Sequence, residues 1–541
     1  MRRLPFLAVI SCLVVAAGRA QDVTPLYRIG SEHDARRRLA PLFGDTTALA
    51  GFLLRSASSR TRVAVDSLQR VRMSPIPLDV QFTNNSRIPL SLNDGAMWAG
   101  RGTSALVTGG LTLTWQRLRI IVAPSLWRTT NQSFALPTDP EIVPAIPAPR
   151  SQWSSPYHWY SRSLDLPRRF GDVTLLAVDR GQSGVWMVWD RVAVGVSNEQ
   201  QWWGPGQRNA LLLSNNAAGF GHLFVRTPRP LKSALGDVEG SYLLGTLTAS
   251  RFFEFGPPTN PARSISAAAV TLAPASVSGL TLGVARIVVA SLEARVDVSA
   301  HVLDVFRSVP SPNDLPFGDP TQIRGRDQLM SLFARWVFPS DGAEVWAEWG
   351  RADQPESLLD FSTSPGHSQA YTIGAQFAKP LTARWSLGVE FEHTKTQQSG
   401  TFRERPTGSW YTSRSVIQGF TQRGQILGAA VGPGANAQWL AMDLRDSLSS
   451  AGIFFGRIRW DDDALYTIAR PNGNGLCKHD VSLFIGARAS RLTSRVDLSA
   501  SVNAQHRLNA YYGSTGLCFI DEQRSDRHNL TVQFSVGPRL R

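Results

Sequence analysis

The sequence predicts an all-β protein: a transmembrane, antiparallel β-barrel of the outer membrane, preceded by a small N-terminal helical element. Three observations lead there. The chain opens with an export signal, in which Arg2 and Arg3 precede an apolar run. From about Leu78 the hydrophobic period becomes two, in segments close to the ~10 residues with which a tilted strand crosses a bilayer. Tight turns alternate with long connections, as in barrels with short periplasmic turns and long extracellular loops.

In chain order, residues 1–20 read as a signal peptide. The apolar run Leu4–Ala17 is shorter than the ~20 residues of a membrane-spanning helix, and the small residues Gly18 and Ala20 flank a cut before Gln21. Val9-Ile10-Ser11-Cys12 offers an alternative lipidation site, although Cys12 sits inside the apolar region rather than after it. Cleavage leaves Cys477 and Cys518 in an oxidising setting, which allows one disulfide. With no Cys-x-x-Cys and no His-x-x-x-His spacing, neither a metal nor another cofactor is expected. The 541 residues are 43% apolar and 18% charged, with 45 Gly and 33 Pro, which excludes a disordered, collagenous or disulfide-dense chain.

Residues 21–77 read as a periplasmic helical element. Ser31 followed by Asp34 marks a helix start, Leu39 and Leu42 share a face, and Asp45 precedes Leu49, Phe52 and Leu53. Residues 78–541 read as the barrel. Trp385, Leu387, Val389 and Phe391 alternate with Ser386, Gly388, Glu390 and Glu392; Val345, Ala347 and Trp349 alternate with Glu344 and Glu348; Asp497, Ser499, Ser501 and Asn503 share one face. A soluble sandwich or propeller alternates too, but the long strands, the turn asymmetry and the lack of a blade-length repeat favour the barrel. If the last strand, about 527–538, descends to the periplasm, parity places the loops holding Cys477 and Cys518 together on the extracellular side. The same count makes 397–436 a long excursion, outside or into the lumen. With 185–196 ascending and 220–227 descending, 197–219 starts from that side as well; 128–172 is a further long loop.

Gln201-Trp-Trp-Gly-Pro-Gly-Gln-Arg-Asn209 and the Leu213-Ser-Asn-Asn216 that follows interrupt the alternation. Gly204 and Gly206 free the backbone around a rigid Pro205, while Trp202, Trp203, Arg208, Asn209, Asn215 and Asn216 offer flat apolar faces beside fixed hydrogen-bonding groups. Such a mixture suits a sugar. It equally suits an internally bonded loop that plugs the barrel.

With Leu164-Asp-Leu-Pro-Arg-Arg-Phe-Gly171, Gly181-Gln-Ser183, Gly419-Phe-Thr-Gln-Arg-Gly424 and Gly432-Pro-Gly434, these residues make the sequence resemble the Wzi-type capsule assembly family, outer-membrane barrels that act as lectins for capsular polysaccharide. The resemblance implies 18 strands, a periplasmic helical element, an occluded lumen and a role in holding capsule or related exopolysaccharide. Arg423 joins the ligand or plug candidates from its motif. One departure is the C-terminus: Phe534 stands well before Arg541, whereas barrels of this membrane commonly end in an aromatic residue.

Catalysis finds no support. There is no Gly-x-Ser-x-Gly elbow and no His-x-Ser pair, and the paired carboxylates Glu344/Glu348 and Glu390/Glu392 fall on lumen faces, where charge is expected in any case. Asp461-Asp462-Asp463 lacks the spacing of a calcium loop and reads as a solvated strand end. The formal net charge of +14 is Arg-dominated, with Lys only at 232, 379, 395 and 478. Arginine forks suit carboxylates and phosphates, so acidic polysaccharide and lipopolysaccharide among the outer-membrane lipids are the expected partners, nucleic acid is not, and the barrel is expected to be a monomer. Two functions stay open: a surface lectin that anchors polysaccharide, and a porin or substrate channel built on the same barrel.

Overall fold

The computed structural model describes residues 26, 28–45, 52–58, 71–134, 136, 164–253, 262–309, 325–355, 357–403, 405, 407–467, 479–512 and 525–538. The signal segment 1–20, Cys12, Cys477 and Cys518 lie outside the described residues. The described chain forms a closed antiparallel barrel of 18 strands, sealed where the first strand, Arg72–Asn85, pairs with the last, Arg527–Pro538. Alternation sets its two faces. Ile373, Phe377, Phe391, Leu440, Ile453 and Ile485 point outward and stay exposed, while Thr372, Gln376, Glu392 and Asp443, on neighbouring registers, point inward and are buried. An apolar outer band with a polar interior is the solvent pattern of a strand-built membrane protein.

The first barrel strand begins before Leu78. Pro75 and Pro77 shift the register between Ile76 and Asp79, which breaks the period-two pattern just where the strand starts. Residues 185–196 are two strands rather than one. Gly184–Val188 descends, a turn closed by Trp189 N–H on the Val192 carbonyl (2.8 Å) reverses the chain, and Ala193–Ser197 ascends. That turn contains no Gly or Pro, so the apolar alternation reads straight through it. The reversal leaves parity intact. Short links (189–192, 339–342, 381–385, 446–448, 493–495) gather at one end, and long ones (198–221, 352–368, 396–435, 461–479, 509–526) gather at the other.

The N-terminal element is part of the barrel's filling. Ser31 caps the helix Glu32–Leu39 by accepting from Asp34 N–H (3.3 Å), and a 3-10 turn Ala40–Phe43 follows. Leu39 and Leu42 pack on Val337 and Ala378 beside the short turns, and Arg36 donates to the carbonyls of Asp446 (3.0 Å) and Ser447 (3.2 Å). The helix thus packs across part of the mouth at the short-turn end.

Residues 292–309 turn the other way, onto the outer wall. Register places Tyr242, Ala268 and Arg286 in one outward-facing row, next to the inward Leu243, Ala267 and Ile287. Arg286 donates to the carbonyls of Val305 (2.9 Å) and Arg307 (2.8 Å), Val305 N–H donates to Ser266 Oγ (3.3 Å), and buried Asp304 pairs with Arg326 (3.0 Å). The flap covers polar wall residues and presents exposed Val296, Leu303 and Phe306 in their place.

Candidate functional site

The loop 198–221 dives from the extracellular end deep into the lumen. Gln201–Trp203 pairs antiparallel with Leu54–Ser56 of the N-terminal segment, and Gly204 N–H donates to the Leu53 carbonyl (2.9 Å). Trp202 and Trp203 are each 1% exposed, so their faces serve packing inside the plug. Barrel-wall glutamates hold the turn that follows. Glu392 accepts from the backbone amides of Gln207 (2.6 Å), Arg208 (3.1 Å) and Asn209 (2.9 Å), and Glu348 accepts from Leu211 N–H (3.1 Å). Gly204 has φ +119°, and a Cβ there would sit 2.7 Å from Glu348 Oε2, so only glycine fits.

Buried arginines complete the floor. Arg38 donates to Glu344 (2.5 Å) and to the Pro205 carbonyl, Arg335 donates to Glu344 through two nitrogens (2.7 and 2.5 Å), and Arg55 donates to Asp34 (2.7 Å). Burial lowers the Arg55 guanidinium to about 10, partly offset by Asp34.

From above, the loop 396–435 locks onto the same segment. Ser214 N–H donates to the Leu427 carbonyl (2.8 Å), Ser214 Oγ to Gly428 (2.6 Å) and Asn216 Nδ2 to Ile426 (3.0 Å); Tyr411 donates its hydroxyl to the Leu211 carbonyl (2.7 Å) and accepts from Ala429 N–H (2.7 Å). A small hairpin, Thr421–Gln422 with Gln425–Ile426, turns on Arg423 and Gly424, both at positive φ. Phe170 and Pro167 crowd Gly424, Asp165 accepts from Ser250 Oγ (2.6 Å), and Arg423 pairs with Asp179 (2.5 Å). The sequence motifs therefore meet in one body.

Of the candidates, Trp202, Trp203, Asn215 and Asn216 lie inside this body, and Asn215 donates to the Ile29 carbonyl (3.0 Å). Arg423 is half-exposed at its rim. Arg208 and Asn209 line a cavity. Sequence reasoning missed the anchoring role of Glu344, Glu348 and Glu392, and with it Arg38 and Arg55. A signal was available: carboxylates on lumen faces with no cation two positions away need hydrogen-bond donors from elsewhere. Asp461–Asp463, which the sequence suggests is a solvated strand end, is instead buried at all three positions. Asp462 pairs with Arg459 (2.5 Å) and His479 (2.8 Å), and Asp463 accepts from Gln398 N–H (2.9 Å), because the inward loop packs over this strand end. Among the described residues no His, Cys, Asp or Glu cluster is arranged to hold a metal.

Asp94, in the link 86–101, accepts from Ser91 Oγ (2.8 Å) and Leu92 N–H (3.1 Å), yet burial pushes its carboxyl up to about 7. Its pKa is raised above the unfolded value of about 3.9, so the stability it contributes is full in acid and is lost as pH rises through about 7. Hydrogen exchange, corrected for intrinsic rates, should show the Leu92 and Met97 amides less protected at pH 8 than at pH 5.5. Asp94→Asn should flatten that dependence; equal protection at both pH values in the parent would contradict it.

Among the described residues, two cavities that share several lining residues lie beside the plug. One of about 400 Å3 runs from Pro538 and Asp79 at the periplasmic rim up to Arg208 and Arg488. The other, about 160 Å3, continues toward Ile458 and Thr531, and both are lined by Asn93, Arg208, Arg488, Ser501 and Gln533.

A closed barrel with an apolar belt and a lumen filled by its own loops defines an outer-membrane β-barrel protein. Residues 182–445 match the model of the family described as capsule assembly protein Wzi, a span that includes the Trp-Trp-Gly-Pro-Gly and Gly-Phe-Thr-Gln-Arg-Gly motifs. The solved Wzi of Escherichia coli, an outer-membrane protein involved in group 1 capsule assembly and a carbohydrate-binding β-barrel, is 11% identical, with 86% of this chain and 85% of that chain covered at a TM-score of 0.52. Pseudomonas putida OprB (11% identity, 86% and 94% covered, TM-score 0.35) and a bacterial polysaccharide outer-membrane secretin (8%, 88% and 100%, 0.31) are more distant in shape. No curated protein sequence matches the chain. Over residues 182–445 the chain matches the Wzi capsule assembly family in sequence, and over most of its length its fold is similar to the solved Wzi barrel.

Proposed function

We propose that this protein is a lectin-like barrel that anchors or assembles capsular polysaccharide or exopolysaccharide at the cell surface, without catalytic turnover. The observation that carries the reading is the interlock of 198–221 with 396–435, which commits both family-motif loops to one hydrogen-bonded body inside the lumen. A porin would need that space as a water path. The family match and the carbohydrate-binding relative point the same way. Deleting the protein from its host should shed surface polysaccharide into the medium, and the full chain should restore retention. Unchanged retention in the deletion strain would reject the reading.

The Cys477–Cys518 disulfide belongs to this proposal as a brace between the last two extracellular loops. Their described flanks already touch, through Arg507 on Asp480 (2.7 Å) and the Tyr512 hydroxyl on the Trp460 carbonyl (2.8 Å). Mature protein denatured without reductant should show no free thiol and gain two on reduction; two free thiols before reduction would exclude the bond.

A further inference from the structure

The two cavities share a side chain with unmet bonding capacity. The Arg208 guanidinium carbon sits 3.5 Å from the centroid of the Trp439 ring, and Trp439 stacks on Phe454 with ring centroids 4.5 Å apart. The neighbouring carboxylates are engaged elsewhere. Glu392 holds the amides of residues 207–209, and Arg488 takes up Asp443 (2.6 Å) and Glu390 (3.3 Å). Among the described residues the Arg208 guanidinium therefore has no hydrogen-bond acceptor. In the walls of the same space, Asn93 Oδ1, Asn503 Oδ1 and Trp439 Nε1 are buried with no partner among the described residues, while Arg208 is itself only partly buried. Such groups are costly to leave unmet, and their convergence on one cavity marks a place built for a polar guest.

We infer that this luminal chamber binds one acidic sugar unit, a uronate, with its carboxylate on Arg208 and its hydroxyls on Asn93, Asn503 and Trp439. The guanidinium fork matches a carboxylate in two parallel hydrogen bonds, which selects an acidic sugar over a neutral one. The two asparagine oxygens accept from sugar hydroxyls, and the indole N–H donates to one. Phe484 and Leu92, on the smaller cavity's wall, supply the apolar surface that a sugar ring's C–H face prefers. Water alone would fill the space without selecting for a carboxylate.

The inference rests on the polysaccharide reading for the source of the sugar, and one titration separates the two. Full-length protein in detergent is titrated calorimetrically with sodium glucuronate, with glucose, and with an acidic polysaccharide. Glucuronate should bind saturably and glucose should not. Arg208→Gln should weaken glucuronate at least tenfold, Trp439→Phe and Asn503→Leu should weaken it less, and Arg229→Gln, on the exposed periplasmic side, should not change it. Equal binding of glucose and glucuronate overturns the inference, as does undiminished binding by Arg208→Gln that still migrates as a folded barrel. Should Arg208→Gln fail to fold, undiminished binding by both Trp439→Phe and Asn503→Leu overturns it instead. Polysaccharide bound equally by the parent and Arg208→Gln, with no glucuronate binding, removes the chamber and leaves the anchoring reading. Glucuronate bound without any polysaccharide removes the anchoring reading and keeps the chamber.

Discussion

Glu344→Leu is expected to open the periplasmic mouth of the barrel. The substitution leaves Arg38 and Arg335 buried, at 2% and 1% exposure, with no carboxylate between them. Removing one partner of a buried ion pair costs about 3–5 kcal/mol, because the charge that remains is uncompensated. The wall cannot move, since Glu344 and Arg335 sit on strands paired from Met330↔Arg351 to Phe338↔Ala343. The N-terminal helix can, so relief comes by withdrawing Arg38 and with it the contact to the Pro205 carbonyl. In planar bilayers the variant should conduct in bursts where the parent is nearly silent. Conductance equal to the parent's, in a variant that inserts normally, would mean that the triad does not hold the plug.

Trp203→Ala should have an effect of similar size by a different route. Its side chain is 1% exposed within the largest apolar cluster, together with Leu53, Leu211, Leu213, Tyr411 and Leu427. A buried tryptophan truncated to alanine costs about 3–5 kcal/mol through lost burial and the cavity left behind. The cluster draws on both inward loops and on the N-terminal segment, so all three should loosen together. Proteolysis within 396–435 and conductance should rise in parallel, and polysaccharide retention should fall with them. Retention lost while the plug stays resistant to protease would instead place Trp203 against the sugar.

Alternation carried most of the barrel, because a strand with lipid on one side and a polar lumen on the other has its two faces written in strict succession. It failed where chemistry interrupts the code. Pro75 and Pro77 hide the first strand's start, and the Trp189–Val192 turn hides a reversal behind an unbroken apolar rhythm. The plug was legible only as motifs. Periodicity says which way Glu344, Glu348 and Glu392 point, but apart from Arg335, nine positions from Glu344, the partners named above are backbone amides and an arginine that lie 137 to 306 positions away in sequence. Arg36, Arg37 and Arg38 read as one charge run, and nothing in that run distinguishes the buried Arg38 from its neighbours. Asp461–Asp463 misled for the same reason, since burial there is imposed by a loop that returns from a distant strand.

An occluded barrel that holds polysaccharide without turning it over must bind that polymer directly. Full-length protein is immobilised in detergent or nanodiscs and exposed to purified surface polysaccharide from its own host, with an unrelated neutral glucan beside it. The host polymer should be retained saturably and reversibly and recovered at unchanged chain length, and the glucan should not be retained. Failure to retain the host polymer, in protein that also passes a steady ionic current across a bilayer, would contradict this role and leave a channel in its place.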